Sequence, residues 1–185
     1  MSNAVIVDVV RTPGGNRNGK LSGWHPVDLA AETLKALIER NDIDPAEIDE
    51  VIMGCVGQVG AQAVNVGRNA ALAAGFPKSV PGTTLDRQCG SSPRAVHFAA
   101  QGVAAGAYDV VIAAGVEVMS LVPMSASIGQ GVGIPVGPTV GLSYAPVGGL
   151  VSQGIAAEMI ADQSASANPG PSRAVVSVVS AATSQ

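Results

Sequence analysis

Aromatic residues are scarce. Two Phe, two Tyr and one Trp make up 3% of the 185 residues, so any core has to be built from Ala, Val, Ile and Leu. Charge is thin as well: Asp, Glu, Lys and Arg together reach 13%, with a formal net charge of −4 and no basic run. That excludes nucleic acid and anionic membrane as general partners. Only two cysteines are present, too few for a disulfide framework. No apolar run approaches the roughly 20 residues of a membrane span. The opening MSNAVIVDVV lacks a charged leader and a cleavage pattern, and Asp8 interrupts its apolar run. It reads as a first strand rather than a signal peptide, and the expected location is cytoplasmic. What is abundant is hydrophobic residues at 47%, together with 23 Gly and 12 Pro. The length suffices for one domain of ordinary size with a real core and many turns.

The chain alternates between two periodicities. Ala4 to Val10 is an apolar, β-branched run closed by Pro13-Gly14-Gly15. From Val27 to Arg40, the residues Val27, Ala30, Ala31, Leu34, Leu37 and Ile38 share one helical face, and Pro26 suits a first helical position. Glu50 to Val56 predicts a second strand. Asn65 to Ala74 predicts a helix, closed by Gly75 with Pro77 beyond it. Val80 to Leu85 predicts a third strand, Ser91 to Ala105 a helix ended by Gly106, and Asp109 to Val116 a fourth strand. The apolar run of that last strand fits a sheet covered on both faces. Alternation of this kind implies βαβ crossovers, hence an α/β fold with a mostly parallel sheet and helices on both faces.

Cys89 lies in Leu85-Asp86-Arg87-Gln88-Cys89-Gly90-Ser91-Ser92, between the third strand and the helix that follows. A cysteine there has its sulfur near the unpaired N–H groups of a helix start, which favour thiolate over thiol. Thiolate is the nucleophilic form. The commoner fate of an intracellular cysteine is burial as a small hydrophobe. Polar Asp86, Arg87 and Gln88 before it, and small Gly90, Ser91 and Ser92 after it, favour an accessible bend. The carboxyl end of a strand is also where open α/β sheets place ligands. Pro93 falls in the first turn of the helix and withholds an N–H there. His97 is eight residues along the same helix, about 12 Å up its axis, and His25 sits at a helix entrance. Neither reads as the base that activates Cys89. Glu117 reads as a paired structural carboxylate. Asn65 and Arg68, three apart on one helical face, read either as a bridge to a partner subunit or as an exposed polar face.

The string DRQCGSS followed by AVHFAAQGVAAGAYDVVIAAGVEVMS resembles the nucleophile region of thiolases, the acetyl-CoA acetyltransferases and 3-ketoacyl-CoA thiolases. VRTPGGNRNGKLSG, DPAEIDEVIMGCVGQVG and NVGRNAALAAGFP agree upstream in the same order, and GGLVSQGIAAEMIAD resembles the segment entering the family's CoA-binding loop region. The resemblance spans roughly residues 4 to 163 and is nearest to the bacterial acetyl-CoA acetyltransferase type. It implies a catalytic Cys89 that forms an acyl thioester, an acyl-CoA substrate, Gln153 beside the acyl group, and no metal or redox cofactor. It also implies association as a homo-oligomer or with a thiolase partner, through the strand that leads to Cys89. Cys55, in a C-x-G string, superficially matches the family's second catalytic cysteine. That motif belongs to the family's second half, so Cys55 reads as structural.

The resemblance further implies an organisation: residues 1–124 as the core of a thiolase N-terminal half, 125–163 as a partial, Gly/Pro-rich CoA-binding loop region, and 164–185 as a disordered tail. Thiolases are about twice as long. Their activating histidine, in a G-H-P motif, their acid/base cysteine and a last strand for this sheet come from sequence that has no counterpart here. After Asp162 the family pattern breaks abruptly, and the reading is a frameshifted or prematurely ended thiolase frame. Two function classes follow. One is an acyl-CoA acyltransferase subunit or fragment, with doubtful independent turnover. The other is a non-catalytic remnant that pairs with a full-length thiolase. A ketoacyl-synthase-like condensing enzyme fits DRQCGSS and VIAAGVEVMS less well.

Overall fold

Val51 and Met53 point to one face of a strand and Ile52 to the other, and all three are buried. A strand buried on both sides needs cover above and below, and the helices supply it. In the computed structural model, which describes residues 3–128, 131 and 133–167, this strand is β1, Glu50–Gly54. It lies between β2, Gly82–Leu85, and β3, Val111–Gly115. Both neighbours run parallel to it, with Ile52 opposite Thr83 on one side and Ala113 on the other. On the Val51/Met53 face, α1 (Pro26–Asn41) brings Ala30 and Leu34, and α2 (Val66–Ala73) brings Val66, Ala70 and Ala71. On the Ile52 face, α3 (Ser91–Ala105) brings Ala95 and Ala99. The expected α/β fold, mostly parallel and covered on both faces, is the one observed.

Helix limits follow local chemistry. His25 caps α1, its Nδ1 accepting the Val27 N–H at 3.3 Å, and Pro26 fills the first position. Asp42 ends α1 in a left-handed conformation at φ 51°. The C-cap of α3 is Gly106 at φ 74°, whose N–H turns back to the carbonyls of Gly102 and Val103.

The expected first strand, Ala4 to Val10, is not a strand. Its backbone joins no ladder, and Val5, Ile6 and Val7 are each about three-quarters exposed. Among the described residues β3 leaves its outer edge unpaired, but residues 4–10 make no ladder with it. Asp8 is tied instead to the end of α1, accepting from Arg40 at 3.1 Å and from Asn41 Nδ2 at 3.0 Å. A cleft of about 290 Å³ lies between residues 8–12 and the open side of β3. A β-branched run becomes a strand only when its N–H and C=O groups find a partner row, so the described sheet has three strands where the periodicity predicts four.

The described chain divides into two units, one reaching Ser127 and the other starting at Ile128. The second holds α4, Pro138–Tyr144, a 3-10 turn over Ala145–Val147, and α5, Gln153–Ala167. Ile155, Met159 and Ile160 of α5 are exposed. Helix α5 crosses the boundary drawn at residue 164, and the rest of the expected tail, 168–185, lies outside the described residues. No helix among the described residues is long and apolar enough to cross a membrane.

Candidate nucleophile site at Cys89

Strand β2 ends at Leu85 and α3 begins at Ser91, and the residues between form a tight bend. Gln88 sits at φ 47°, a left-handed conformation that costs a side-chain-bearing residue about 1–2 kcal/mol. The bend is held from two sides. Asp86 Oδ1 accepts the Gln88 N–H at 2.7 Å. Ser91 Oγ accepts the Arg87 N–H at 2.9 Å and donates to the Gln88 carbonyl at 2.7 Å. The Gly90 and Ser91 N–H groups close back on the Arg87 and Gln88 carbonyls, each at 3.0 Å. Cys89 follows Gln88 and is exposed. The N-cap of α3 is Gly90, with no side-chain cap bond.

The start of α3 rests directly on the sheet. Gly54 and Gly115 end β1 and β3 and lie opposite each other in the register. A Cβ added at Gly115 would stand 1.8 Å from Ser92 Oγ, and one at Gly54 would stand 2.5 Å from the Ser92 backbone N. No side chain at either position fits beneath the helix. This seat places the bend at the carboxyl edge of a parallel sheet, the edge where ligands bind in open α/β folds.

Cys55, one residue past β1, is 1% exposed. Burial, then the negative charges of Glu117 and Asp86, pushes its thiol up to about 12. Glu117 accepts the Val56 N–H at 2.9 Å and the Gln62 Nε2–H at 2.6 Å. Fully buried Gln62 also donates to the Gly57 carbonyl at 2.9 Å and accepts the Val118 N–H at 2.8 Å. Cys55 is buried and Glu117 is paired with the loop after β1, in keeping with the structural reading of both. Gln62 knits the loops after β1 and β3 together, and no motif drew attention to it. Ser91, Gly54 and Gly115 were missed as well. A small residue in a turn-rich sequence is visible in one dimension, but the chain pressed against it is not.

Other expectations resolve locally. His25 is a cap and His97 is exposed on α3. Asn65 and Arg68 are not an idle polar face, since both bond within the chain. Asn65 Nδ2 donates to Gly82 O at 2.7 Å, while Arg68 donates to the Val80 carbonyl and, at 2.9 Å, to the Lys78 carbonyl. Together they latch the segment that feeds β2. The first backbone bond of α3 runs from Arg94 N to Gly90 O, and Pro93 has no N–H to offer the Cys89 carbonyl. Gln153 is the first residue of α5 and is exposed; it belongs to the second unit, whereas Cys89 belongs to the first. Among the described residues no cluster of three His, Cys, Asp or Glu side chains is arranged to hold a metal ion.

Residues 4–170, which contain this bend and its seat, match the family model of the thiolase N-terminal domain. The chain belongs to the thiolase family. It is 50% identical over 131 residues to the steroid 3-ketoacyl-CoA thiolase FadA6 of Mycobacterium tuberculosis, covering 71% of this chain and 32% of that protein. It is 41% identical over 162 residues to a 3-ketoacyl-CoA thiolase of Idiomarina loihiensis, covering 86% and 40%. The crystal structure of the Bacillus anthracis acetyl-CoA acetyltransferase is similar at a TM-score of 0.62 and 45% identity, covering 65% of this chain and 30% of that one. This thiolase chain thus spans about a third to two-fifths of the length of the curated relatives it matches.

Proposed function

We propose that this chain supplies the acyl-accepting part of a thiolase, with Cys89 as nucleophile toward an acyl-CoA thioester. The Cys89 thiolate attacks the thioester carbonyl carbon, a new sulfur–acyl bond forms, and the old one breaks. Coenzyme A leaves as thiolate and takes a proton from solvent. One thioester replaces another, so the step is close to balanced in energy and calls on no metal or redox cofactor. The observation that carries this reading is the exposed Cys89 on a braced strand-to-helix bend, within a chain of thiolase lineage. Gln153 is assigned to the acyl side of the substrate. The open edge of β2 is assigned to pairing with a second copy or with another thiolase chain, since an unpaired strand edge is a ready template. Two free cysteines fit a reducing, cytoplasmic compartment.

A second reading, a non-catalytic domain that pairs with a full-length thiolase, is favoured by one observation. Among the described residues no histidine or second cysteine lies on the Cys89 bend. Removing one member of a coupled catalytic set costs several orders of magnitude. The test is incubation of the purified chain with acetyl-CoA, followed by intact mass and peptide mapping. One acetyl group on Cys89 without sustained release is the expected result. Thiolysis of acetoacetyl-CoA at an ordinary enzymatic rate, on the order of 1–10³ per second, would overturn the second reading. Absence of any acetyl on Cys89 would overturn the first.

A further inference from the structure

We infer that Ser91 is a positioning residue for Cys89, acting through the left-handed Gln88. The inference rests on the reading of Cys89 as acyl acceptor. Ser91 is buried, yet its hydroxyl spends both of its bonds on the bend and none on the core: it accepts from the Arg87 N–H and donates to the Gln88 carbonyl. Those two groups flank the one peptide unit that has to flip for Gln88 to leave φ 47°. A Gln in that conformation is held there by its surroundings. Asp86 braces the same residue from the solvent side, through the Gln88 N–H at 2.7 Å. Gln88 sets the direction in which the chain enters Cys89, so the hydroxyl two residues later fixes where the sulfur points. Ser91 is itself fixed because the start of α3 is pressed onto Gly54 and Gly115. The bend is therefore aimed from the sheet through Ser91 to Gln88 to Cys89.

Aim and access separate in a measurement. Acylation by acetyl-CoA needs an oriented sulfur, whereas a small alkylating reagent needs only a reachable one. In the full chain, Ser91→Ala is expected to slow acetylation of Cys89 by about tenfold, the scale of losing one or two hydrogen bonds. Alkylation of Cys89 by iodoacetamide is expected to stay within about twofold, because access is unchanged. Asp86→Ala, at an exposed position, is expected to give the same split at a smaller size, about threefold, and serves if Ser91→Ala does not fold. Adding Gln88→Gly to either variant is expected to restore acetylation, since glycine takes a positive φ without strain. Hydrogen exchange at the Arg87 amide reads the clamp directly and is expected to be fast only in Ser91→Ala. Equal acetylation in wild type and both variants would overturn the inference, as would a loss that Gln88→Gly does not restore. If the wild-type chain takes up no acetyl group, the reading of Cys89 falls. The clamp is then judged by the Arg87 amide alone, and equal exchange in wild type and Ser91→Ala overturns it.

Discussion

The two cysteines lie at the same edge of the sheet and have opposite characters. Cys55 follows β1 and still belongs to the ladder, its N–H donating to the Leu85 carbonyl of β2 at 3.0 Å. Its side chain therefore keeps the alternation of Val51 and Met53 and turns into the core. Cys89 comes four residues after that same Leu85, beyond a bend that carries the chain out of the sheet. One thiol is sealed and pushed up to about 12; the other is exposed at a helix start. A place at the carboxyl edge of a sheet does not by itself make a thiol available for chemistry. What separates the two is whether the backbone stays in the ladder or is driven out of it, and three features drive it out: the glycine seat, the Ser91 clamp and the left-handed Gln88.

The seat gives the largest expected effect. Gly115→Ala would press a methyl into Ser92 Oγ, so α3 has to lift or the hydroxyl has to leave. A destabilisation of about 3 kcal/mol is expected, the upper range for overpacking, read from urea unfolding with increased labelling of Cys55 at equal denaturant. Adding Ser92→Gly removes both Oγ and Cβ and should recover much of the loss. Gly54→Ala meets the backbone of Ser91 and Ser92 instead, so Ser92→Gly should not rescue it. Equal rescue of both would show that the helix start does not rest on the sheet in this way.

On the Cys55 side the corresponding brace is Gln62. Replacing it by Leu conserves much of its volume but strands the Val118 N–H, while the Gly57 carbonyl keeps its bond from the Val59 N–H at 2.8 Å. The expected cost is about 1–3 kcal/mol, the penalty for a buried group left without a partner. Cys55 should become reactive in native buffer while Cys89 labelling stays as it was. A variant as stable as wild type would mean that water satisfies that group equally well.

Much of the contrast was legible in the sequence, and the limits are instructive. Periodicity and the Gly/Pro breaks placed β1 to β3 and α1 to α3, although β2 itself buries no residue fully. Polar and small neighbours marked Cys89 as the exposed thiol, and a place at the end of a strand marked Cys55 as the shielded one. The first strand failed because Ala4 to Val10 carries the β signal but no information about a free edge. Gln62, Ser91 and the Gly54–Gly115 pair failed for a related reason. Their importance comes from contacts across the Cys89 bend or between segments far apart in the chain, from Gly115 to Ser92 and from Gln62 to Val118, and neither pattern nor propensity encodes such a contact.

The raised Cys55 thiol predicts a pH signature in the stability of the chain. Below pH 9.0, the ordinary thiol value, folded and unfolded chains both keep the proton and stability is unaffected. Between 9.0 and about 12 the unfolded chain loses that proton while the folded chain holds it, so the unfolded state gains. Stability should fall across that window with a slope approaching about 1.4 kcal/mol per pH unit from this group. Urea midpoints compared between wild type and Cys55→Ala isolate it, since the variant should lose this part of the slope. Identical alkaline slopes would mean that Cys55 is not sealed.

Pro93 gives the smallest expected effect and tests whether the helix start or the bend controls Cys89. A proline in a helix usually removes a bond from its N–H to the carbonyl four residues back, which here would be that of Cys89. Yet α3 begins only at Ser91, and its first backbone bond runs from Arg94 N to Gly90 O, so the Cys89 carbonyl is outside the helix. Pro93 instead restricts the unfolded chain at a position whose first-turn geometry it already fits. Pro93→Ala should therefore cost no more than about 1 kcal/mol, through the unfolded state. Alkylation of Cys89 should stay within about twofold of wild type, since the bend keeps its clamps and the change in helix stability is small. A larger change at Cys89 with unchanged stability would show that the N–H introduced by the substitution captures the Cys89 carbonyl. The helix would then start earlier than Ser91, and control of the sulfur would pass from the bend to the helix.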